Sequence, residues 1–414
     1  MRLLYVGGDL GTTGFGTVTR DLVTGLVELG VDVRVLVRDD LIPPNLPDAF
    51  TGRLVLIPWT GFWMTFDETK SAEAEMRASI APKFTPDGYR DGWAPDAVLV
   101  VGDPASVDRF GLVDLLPDGL PAFHYVPVEG IGLPPAWGLI WQRIAPIAMS
   151  KFGATEIGRL MGREVPMVYH GVDTEVFHPV DHDHPIVWPN DEAVIESRVD
   201  AKKAFGIDPK TTVILRTDAN MPRKAYGPLM RSVAPVLAAH RDVLLFIHAP
   251  VVGEGGDLRV IRSHFRPDIA SRIVLPGFHE KYGGMPRYGL ATLYNAADIY
   301  VSNSCEGFGL TIAEALACGV PAVGLDWSAV PEVIGPAGLT VPVGRLVENI
   351  YAHWWGIADE RKFATAVDHL VADKGDRWRY GGKGPEHVAR SFSWATAARQ
   401  FADIFEGSRI EVAA

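Results

Sequence analysis

The chain of 414 residues carries 39 Lys and Arg against 51 Asp and Glu, a formal net charge of −12. It is too long for one ordinary hydrophobic core, so two domains are expected. Its 47% apolar and 22% charged content exclude a disordered or fibrous protein and indicate a globular one. The two cysteines, Cys305 and Cys318, lack metal-ligand spacing and a disulfide setting, and are expected to be small buried residues.

The amino terminus and the hydropathy of the chain favour a cytoplasmic protein. The apolar stretch that starts at Met1 is too short for a signal peptide. No run of about 18 apolar residues occurs, so no transmembrane helix is expected.

Strands and helices are predicted to alternate along the first part of the chain, which is the pattern of α/β domains with parallel sheets. A first strand at 2–6 leads through a loop at 7–16 into a helix at 17–29, which ends at Gly30. Further strands are predicted at 31–37, 54–57, 97–101, 122–126, 147–149 and 167–169.

An irregular segment at 179–191, with two Asp-His steps and three prolines, is predicted as an interdomain linker. The alternation then resumes. Helices are predicted at 198–205, 229–240, 286–295, 310–318 and 393–406, and strands at 213–216, 243–248, 273–275 and 298–302.

The most informative segment is 305–321, where Glu306 and Glu314 stand eight residues apart around the start of a predicted helix. Gly307 and Gly309 lie between them, and without a Cβ they let backbone amides approach a ligand closely. The free amides at a helix amino terminus favour a phosphate. Because two glutamates would repel a phosphate unless they bind neutral hydroxyls, the expected ligand is a polyhydroxylated phosphate ester such as a nucleotide sugar.

This Glu-x7-Glu segment resembles that of retaining GT-B glycosyltransferases, and most closely that of glycosyltransferase family 4, the glycosyl transferases group 1. The resemblance implies that Glu306 contacts hydroxyls of the donor sugar and that Glu314 binds the ribose hydroxyls. An ordinary capped helix with two solvated glutamates is the alternative. The residues whose backbone is implied to hold the sugar and the diphosphate are Gly307, Phe308, Gly309 and Leu310.

A glycine-rich turn at 11–17 precedes the first helix, and family members carry a similar loop that faces the donor phosphates. The resemblance makes Gly14, Phe15 and Gly16 donor-binding candidates. A dinucleotide-binding fingerprint with Asp39 as the ribose acid is the rival interpretation. The spacing Gly-x-x-Gly-x-Gly disfavours it, since the fingerprint is Gly-x-Gly-x-x-Gly.

Arg223 and Lys224 follow the first predicted strand of the second domain and resemble the basic pair that family members aim at the donor diphosphate. Two cations there would offset the charge that develops when the sugar leaves. Family members commonly place Gly-Arg shortly before the lysine, where this chain has Ala219. Arg216 or Arg223 must then supply the guanidinium, and Arg223 is preferred. A solvated basic turn is the alternative.

His124 and Glu129 lie at the carboxyl end of the predicted strand 122–126, the end at which open α/β sheets bind ligands. A histidine near this position often contacts the sugar or the acceptor in family members. Glu129 is a candidate for orienting or deprotonating the acceptor hydroxyl. A structural His124 and a capping Glu129 are the alternatives, and Asp103 is a weaker candidate of the same kind.

The resemblance therefore implies a GT-B fold of two Rossmann-like parallel-sheet domains that face each other across a cleft. Residues 1–178, completed by a helix at 391–414, would form the acceptor-side domain, and residues 179–390 the donor domain. The implied reaction is a retaining transfer from a nucleoside diphosphate sugar, with UDP- or GDP-hexose preferred, to a hydroxyl. The donor is a substrate, no cofactor is expected, and no suitably placed Asp-x-Asp motif predicts a metal.

Three other activities stay open on this fold: a nucleotide-sugar epimerase, a glycosyltransferase acting on hydroxymethylated bases of DNA, and a non-catalytic nucleotide-sugar-binding subunit. Residues 1–170 carry 14 Lys and Arg against 21 Asp and Glu, which disfavours nucleic acid without excluding it. The acceptor, whether small molecule, glycan, lipid or protein, is expected to bind within 41–95. Candidate aromatic residues in that segment, each with a core role as the alternative, are Trp59, Phe62, Trp63 and Trp93.

Overall fold

The computed structural model describes residues 1–7, 10–11, 13–38, 46–57, 78–89, 91–104, 107, 112–188, 193–278 and 284–412, with side chains up to 407. Trp59, Phe62, Trp63 and Asp39 lie outside these residues. The described chain divides into two compact units. The first consists of Met1–Val128, Leu133–Gly171 and Trp394–Ala414, and the second of Glu129–Gly132 and Val172–Ser393.

This division differs from the predicted one in three places, one of which is the boundary before the C-terminal helix, at Trp394 instead of residue 391. The second unit begins at Val172 rather than at residue 179, and it also includes Glu129–Gly132. The short segment belongs there because Ile131 forms an antiparallel bridge with Trp354, with backbone hydrogen bonds in both directions of 3.1 and 2.9 Å.

Six parallel strands form the sheet of the first unit in the described residues, and apolar residues dominate most of them, which suits burial on both faces. They are β1 (Arg2–Gly7), β2 (Asp32–Arg38), β3 (Leu54–Ile57), β4 (Ala97–Val101), β5 (Ala122–Val126) and β6 (Ala145–Ala148). Their order is β3-β2-β1-β4-β5-β6. The strand predicted at 167–169 is not formed, since Met167 makes a single bridge to Ala148.

The helices of the first unit are α1 (Gly14–Glu28), α2 (Leu112–Leu115), α3 (Pro135–Arg143), α4 (Lys151–Met161) and the C-terminal helix Trp394–Val412. Helix α1 begins three residues before the predicted position, because the Thr13 hydroxyl accepts a hydrogen bond from the Gly16 amide and caps it. The C-terminal helix packs closely on α1 at Gly25 and buries Phe401 and Phe405. It therefore completes the core of the first unit.

The large sheet of the second unit consists of β9 (Thr212–Thr217), β10 (Val243–His248), β13 (Ile273–Val274), β14 (Ile299–Ser302), β15 (Ala322–Leu325) and β16 (Gly338–Val341). These strands are parallel and lie in the order β13-β10-β9-β14-β15-β16. Three small antiparallel pairs accompany them: β7 (Ile186–Val187) with β8 (Val194–Ile195), β11 (Val252–Gly253) with β12 (Gly256–Asp257), and the hairpin of β17 (Val343–Glu348) and β18 (Trp354–Ala358).

Ten helices lie among the described residues of the second unit. They are α5 (Arg198–Ala204), α6 (Tyr226–Ala239), α7 (Leu258–Ser263), α8 (Pro267–Ala270), α9 (Arg287–Ala296), α10 (Leu310–Ala317), α11 (Val330–Ile334), α12 (Glu360–Ala372), α13 (Lys374–Gly381) and α14 (Gly384–Ser391). Strands β9, β10 and β14 pack against α6 and α12 in one continuous apolar core. In the part of the chain that the structure describes, no helix is both long and apolar enough to cross a bilayer.

Both large sheets have the same strand order. When the strands of each sheet are counted along the chain, both read 3-2-1-4-5-6, the doubly wound order of Rossmann folds. In such sheets ligands bind beyond the carboxyl ends of the strands at the point where the order reverses, between the first and fourth strands. In the second unit that point lies between β9 and β14.

Candidate functional site

The carboxyl ends of β9 and β14 bring together a cluster of charged side chains in the second unit. Because the two strands are parallel neighbours, the residues that end or follow them lie at one edge of the sheet. A short 3₁₀ turn, Pro222–Lys224, returns the chain to the same edge before α6 begins. We call this group the charge cluster, and its members are Glu129, Arg216, Asp218, Arg223, Lys224 and Glu306.

Lys224 lies at the centre of the charge cluster and is almost completely buried. Its Nζ lies 2.8 and 2.6 Å from the two carboxylate oxygens of Glu306 and 2.8 Å from Oδ2 of Asp218. Three carboxylate oxygens thus surround one ammonium group, which has three hydrogens to donate.

Arg223 contacts the same glutamate from a second direction. Its Nη1 lies 3.1 Å from Oε2 of Glu306 and also donates to the backbone carbonyl of Cys305. Its Nη2 lies 3.4 Å from Oε1 of Glu129. Glu129, predicted to act from the first domain, therefore belongs to the second unit and balances the charge of Arg223.

Arg216 has no exposed surface. It donates to Oδ2 of Asp218 at 2.7 Å, to the Ser304 hydroxyl at 3.2 Å and to Oε1 of Glu306 at 3.4 Å. Burial by itself would lower the pKa of Arg216, but Asp218 and Glu306 raise it above its ordinary value. Arg216 thus lies fully buried against the carboxylates, while Arg223 is the more accessible guanidinium, with 16% of its side chain exposed.

Glu306 is the residue on which the three cations converge. Burial raises the pKa of this carboxyl group, but Lys224, Arg223 and Arg216 outweigh that effect and lower the pKa to about 2. The backbone of Glu306 is also fixed, because its amide donates to the Ser328 hydroxyl at 2.9 Å. The side chain is therefore ionised at neutral pH and held by charge-assisted hydrogen bonds.

Glu314, the second glutamate of the motif, is buried on α10. Its Oε2 accepts a hydrogen bond of 2.8 Å from the Tyr294 hydroxyl, which lies 3.0 Å from the hydroxyl of Thr217 at the end of β9. The Tyr300 hydroxyl donates to the carbonyl of Thr217 at 2.9 Å and lies 2.8 Å from the Thr311 hydroxyl, from which it can accept. A chain of hydroxyl groups thus joins Glu314 to the strand that carries Arg216.

The backbone between the two glutamates has the conformation that the glycines predict. Gly309 has a φ of +103° directly before α10, and a Cβ there would lie 3.1 Å from Ile312 Cδ1. No side chain of the described residues caps this end of α10. The ring of Phe308 is buried edge-on against Phe392 at 5.2 Å, so a ligand contact by Phe308 would be made by its backbone.

The candidates of the first unit have different surroundings. His124 is completely buried; its Nε2 lies 3.0 Å from the Gly102 carbonyl, and its Nδ1 accepts from the Trp141 indole at 3.1 Å. Burial lowers the pKa of His124 to about 4, so the ring is neutral at pH 7. These contacts favour the structural alternative for His124.

Gly14, Phe15 and Gly16, predicted in a loop, form the first turn of α1. A Cβ at Gly16 would lie 2.3 Å from the Gly11 carbonyl oxygen, whereas one at Gly14 would meet nothing within 4 Å. Phe15 is 39% exposed. Trp93, an acceptor-site candidate, is buried in the core and donates to Asp32 at 2.8 Å, which favours its core role.

Sequence reasoning missed two members of this region. Asp218 follows β9 directly, so the rule that ligands bind at the carboxyl end of the first strand gives a signal for it. Ser328, which fixes the backbone of Glu306, lies 22 residues further along and has no such signal. Cys305 and Cys318 are buried as expected, and burial raises the pKa of the Cys305 thiol to about 12.

Residues 211–373, which include most of the charge cluster and both motif glutamates, match the family model described as glycosyl transferases group 1. The chain is 28% identical over 319 residues to D-inositol 3-phosphate glycosyltransferase of Kribbella flavida, covering 75% of this chain and 65% of that protein. It spans between 41% and 65% of the length of the curated relatives it matches.

Two solved structures show the fold. Sucrose-phosphate synthase of Thermosynechococcus elongatus is similar with a TM-score of 0.72 at 17% identity, over 99% of this chain and all of that one. Anabaena HepE in complex with UDP-glucose is similar with a TM-score of 0.68 at 15% identity, over 98% of this chain and all of that one.

Proposed function

Because residues 211–373 belong to the glycosyl transferases group 1 family and the chain has the GT-B fold, we propose that the protein is a glycosyltransferase. It transfers a hexose from a nucleoside diphosphate sugar to an acceptor hydroxyl and retains the anomeric configuration. The donor is its substrate, and neither a cofactor nor a divalent metal takes part.

The observation that carries this proposal is the charge cluster at the reversal point of the second sheet. A nucleoside diphosphate sugar combines an anionic diphosphate with sugar and ribose hydroxyls. Arg223 and Lys224 offer positive charge to the diphosphate, while Glu306 and Glu314 offer carboxylate acceptors to the hydroxyls. In the chain the two glutamates flank the Gly307–Gly309 turn, so acceptors for sugar and ribose hydroxyls would stand on either side of the backbone proposed for the phosphates.

The two cations also account for the proposed independence from a metal. When the bond to the sugar breaks, negative charge develops on the diphosphate, and preorganised positive groups in a water-poor site stabilise it. Lys224 and Arg223 are held rigidly by carboxylates, so they need little reorganisation at that moment. The departing phosphate then takes the proton of the acceptor hydroxyl.

Glu306 is proposed to position the sugar rather than to attack it. Its carboxylate oxygens accept hydrogen bonds from Lys224 and Arg223, and these contacts lower its nucleophilicity. Glu129 is the preferred candidate for orienting the acceptor, since its carboxylate is paired with Arg223 alone among the described ion pairs and keeps acceptor capacity for a hydroxyl.

The acceptor class is proposed from the relatives. The name of the Kribbella flavida relative gives D-inositol 3-phosphate as its acceptor. We take a phosphorylated polyol as the first acceptor to test, and UDP-glucose, the ligand in the Anabaena structure, as the first donor.

The test is a screen of UDP-, GDP- and ADP-hexoses with and without D-inositol 3-phosphate, followed by NMR of the products. Transfer with retained anomeric configuration in the presence of EDTA is the expected result. On donor alone, slow hydrolysis supports a transferase, whereas an isomerised donor supports an epimerase. Binding of the donor without turnover toward any acceptor would indicate a non-catalytic subunit, and transfer that requires a metal would overturn metal independence.

A matched pair of variants connects the activity to the site. Glu306→Gln should abolish transfer, because the sugar loses a charged acceptor. Glu360→Gln also removes a glutamate paired with an arginine in the second unit, Arg231 at 2.6 Å, and should keep wild-type transfer. Equal transfer activity in both variants would show that the reaction does not depend on Glu306.

A further inference from the structure

The two cations proposed to bind the donor diphosphate are already occupied in the protein. Lys224 is surrounded by two oxygens of Glu306 and one of Asp218. Arg223 donates to Glu306, to the Cys305 carbonyl and to Glu129. A diphosphate that binds Lys224 must therefore take the place of a protein oxygen, because all three hydrogens of that ammonium group are already donated.

The charge cluster is also balanced. Arg216, Arg223 and Lys224 carry three positive charges, and the three carboxylates of Glu129, Asp218 and Glu306 carry three negative ones. The side chains are between 0% and 18% exposed, so charges interact more strongly here than at the surface. A diphosphate added to this balanced group meets the full repulsion of Glu306.

We propose that Glu306 competes with the donor diphosphate for Lys224 and Arg223, and that this competition makes the site select sugar-bearing nucleotides over free nucleoside diphosphates. The proposal rests on the proposed function and gives Glu306 a second role in it. When a donor binds, the sugar hydroxyls replace the hydrogen bonds that Glu306 gives up. A free diphosphate offers no such replacement.

The remaining contacts allow Glu306 to leave the cations without disturbing them. Lys224 keeps Asp218, and Arg223 keeps Glu129 and the Cys305 carbonyl. The backbone of Glu306 stays in place, because its amide is bound to Ser328 and its carbonyl accepts from the Ala329 amide at 3.3 Å. Rotation of the side chain alone is then sufficient.

The same competition favours release of the product. Once the sugar has been transferred, Glu306 loses its hydroxyl partners and returns to Lys224 and Arg223. The carboxylate then opposes the diphosphate that still lies there. The charge cluster without Glu306 carries three cations and two carboxylates, a net charge of +1, and would retain that product.

The experiment compares the binding of free UDP, free GDP and UDP-glucose to the wild-type protein and to Glu306→Gln by isothermal titration calorimetry. Free nucleoside diphosphate should bind about ten- to a hundredfold more tightly to Glu306→Gln, the range expected when an opposing hydrogen bond to a charged group is removed. UDP-glucose should lose its advantage over UDP. Glu360→Gln, which removes a charge outside the cluster, should bind as the wild type does.

Two results separate the inference from the proposed function. Equal or weaker binding of free diphosphate by Glu306→Gln overturns the inference and leaves the glycosyltransferase proposal standing. Failure of both proteins to bind any of the three nucleotides, or any UDP-, GDP- or ADP-hexose of the donor screen, overturns both. Should melting curves show that Glu306→Gln is unfolded, Glu306→Asp replaces it. Its shorter carboxylate reaches the cations less well and should tighten diphosphate binding by a smaller factor, and unchanged affinity in Glu306→Asp overturns the inference.

Discussion

The two large sheets share one strand order but differ at the edge where ligands bind. In the second unit the carboxyl ends of β9 and β14 lead into the charge cluster, whose groups are ionised and mutually paired. In the first unit the candidates His124 and Tyr125 lie within β5, which is not at the reversal point, and are buried and neutral. One strand order thus carries an ionised, mutually paired group of side chains in one unit and a neutral, buried pair in the other.

Burial has opposite outcomes for titratable groups in the two regions. His124 and His170 have no opposite charge beside them strong enough to offset burial, so burial lowers their pKa values to about 4 and about 3. Glu306 is equally buried, yet three cations keep it charged. Counter-charges, not solvent access, therefore determine which of these buried groups is ionised at neutral pH.

The largest effect is expected for Lys224→Met, which leaves Glu306 and Asp218 buried beside one cation fewer. Removing one partner of a buried ion pair costs about 3–5 kcal/mol of unfolding free energy. Loss of a cation that stabilises the leaving group should lower turnover by roughly a hundredfold or more. Urea unfolding and the transfer assay measure the two effects. Lys203→Met, whose side chain is 63% exposed, is the control, and wild-type turnover of Lys224→Met would contradict the leaving-group role.

The next effect concerns Glu314→Ala, which removes the proposed acceptor for the ribose hydroxyls. Nucleoside diphosphate affinity should fall by about 1.5–3 kcal/mol, the value of a hydrogen bond to a charged group. Tyr294→Phe keeps the carboxylate and removes one of its internal donors, so calorimetry should show a smaller loss. If Glu314→Ala binds UDP and GDP as the wild type does, the ribose lies elsewhere.

A smaller effect is expected from pH in the first unit. In the folded protein the pKa of His124 is about 4, whereas in the unfolded chain it has its ordinary value of about 6.5. As the pH falls below about 6.5, His124 therefore binds a proton in the unfolded chain but not in the folded protein. Stability should then decrease by up to about 1.4 kcal/mol per pH unit for this proton until about pH 4. His124→Asn should show a flatter slope, whereas exposed His264→Asn should keep that of the wild type. Glu306 has a lowered pKa, so its contribution to folding stability is complete at neutral pH and is lost only as the pH falls from about 4.5 toward 2.

The smallest effect is expected for Gly14→Ala, whose Cβ would enter open space. Unfolding free energy should change by no more than about 0.5 kcal/mol. A loss of donor affinity in this variant would then report the donor contact predicted for the glycine-rich turn. Gly16→Ala is the contrasting variant, because its Cβ would collide with the Gly11 carbonyl and should reduce stability clearly.

The strands that the sequence predicted with the observed bounds are short and predominantly apolar. Strands at 54–57, 97–101, 122–126 and 243–248 are of this kind. The start of α1 was misplaced because Gly14 and Gly16 disfavour helix locally, while Thr13 and the close packing on Gly11 favour it. The hairpin of β17 and β18 was not predicted, since Gly344 and charged residues interrupt its pattern.

The candidate residues of the second unit show how much of a site can be predicted from the sequence. The family pattern pointed to Arg223, Lys224 and Glu306, and the structure brings them within hydrogen-bonding distance. Their pairing with Asp218 and Glu129, and the complete burial of Arg216, depend on packing between segments that are distant in the chain, such as Arg216 and Glu306, which are 90 residues apart. Such partners cannot be predicted from the local sequence around each residue.

The segment Glu129–Gly132 makes the second unit discontinuous in the chain, and this affects any attempt to isolate it. A fragment of residues 172–393 would lack the backbone partner of Trp354 and the carbonyl that accepts from the Trp327 indole at 3.2 Å. It would also lack Glu129, leaving Arg223 with one carboxylate neighbour fewer. Anion affinities measured on such a fragment would describe an artificially electropositive protein, so domain dissection should graft these four residues back or use the whole chain.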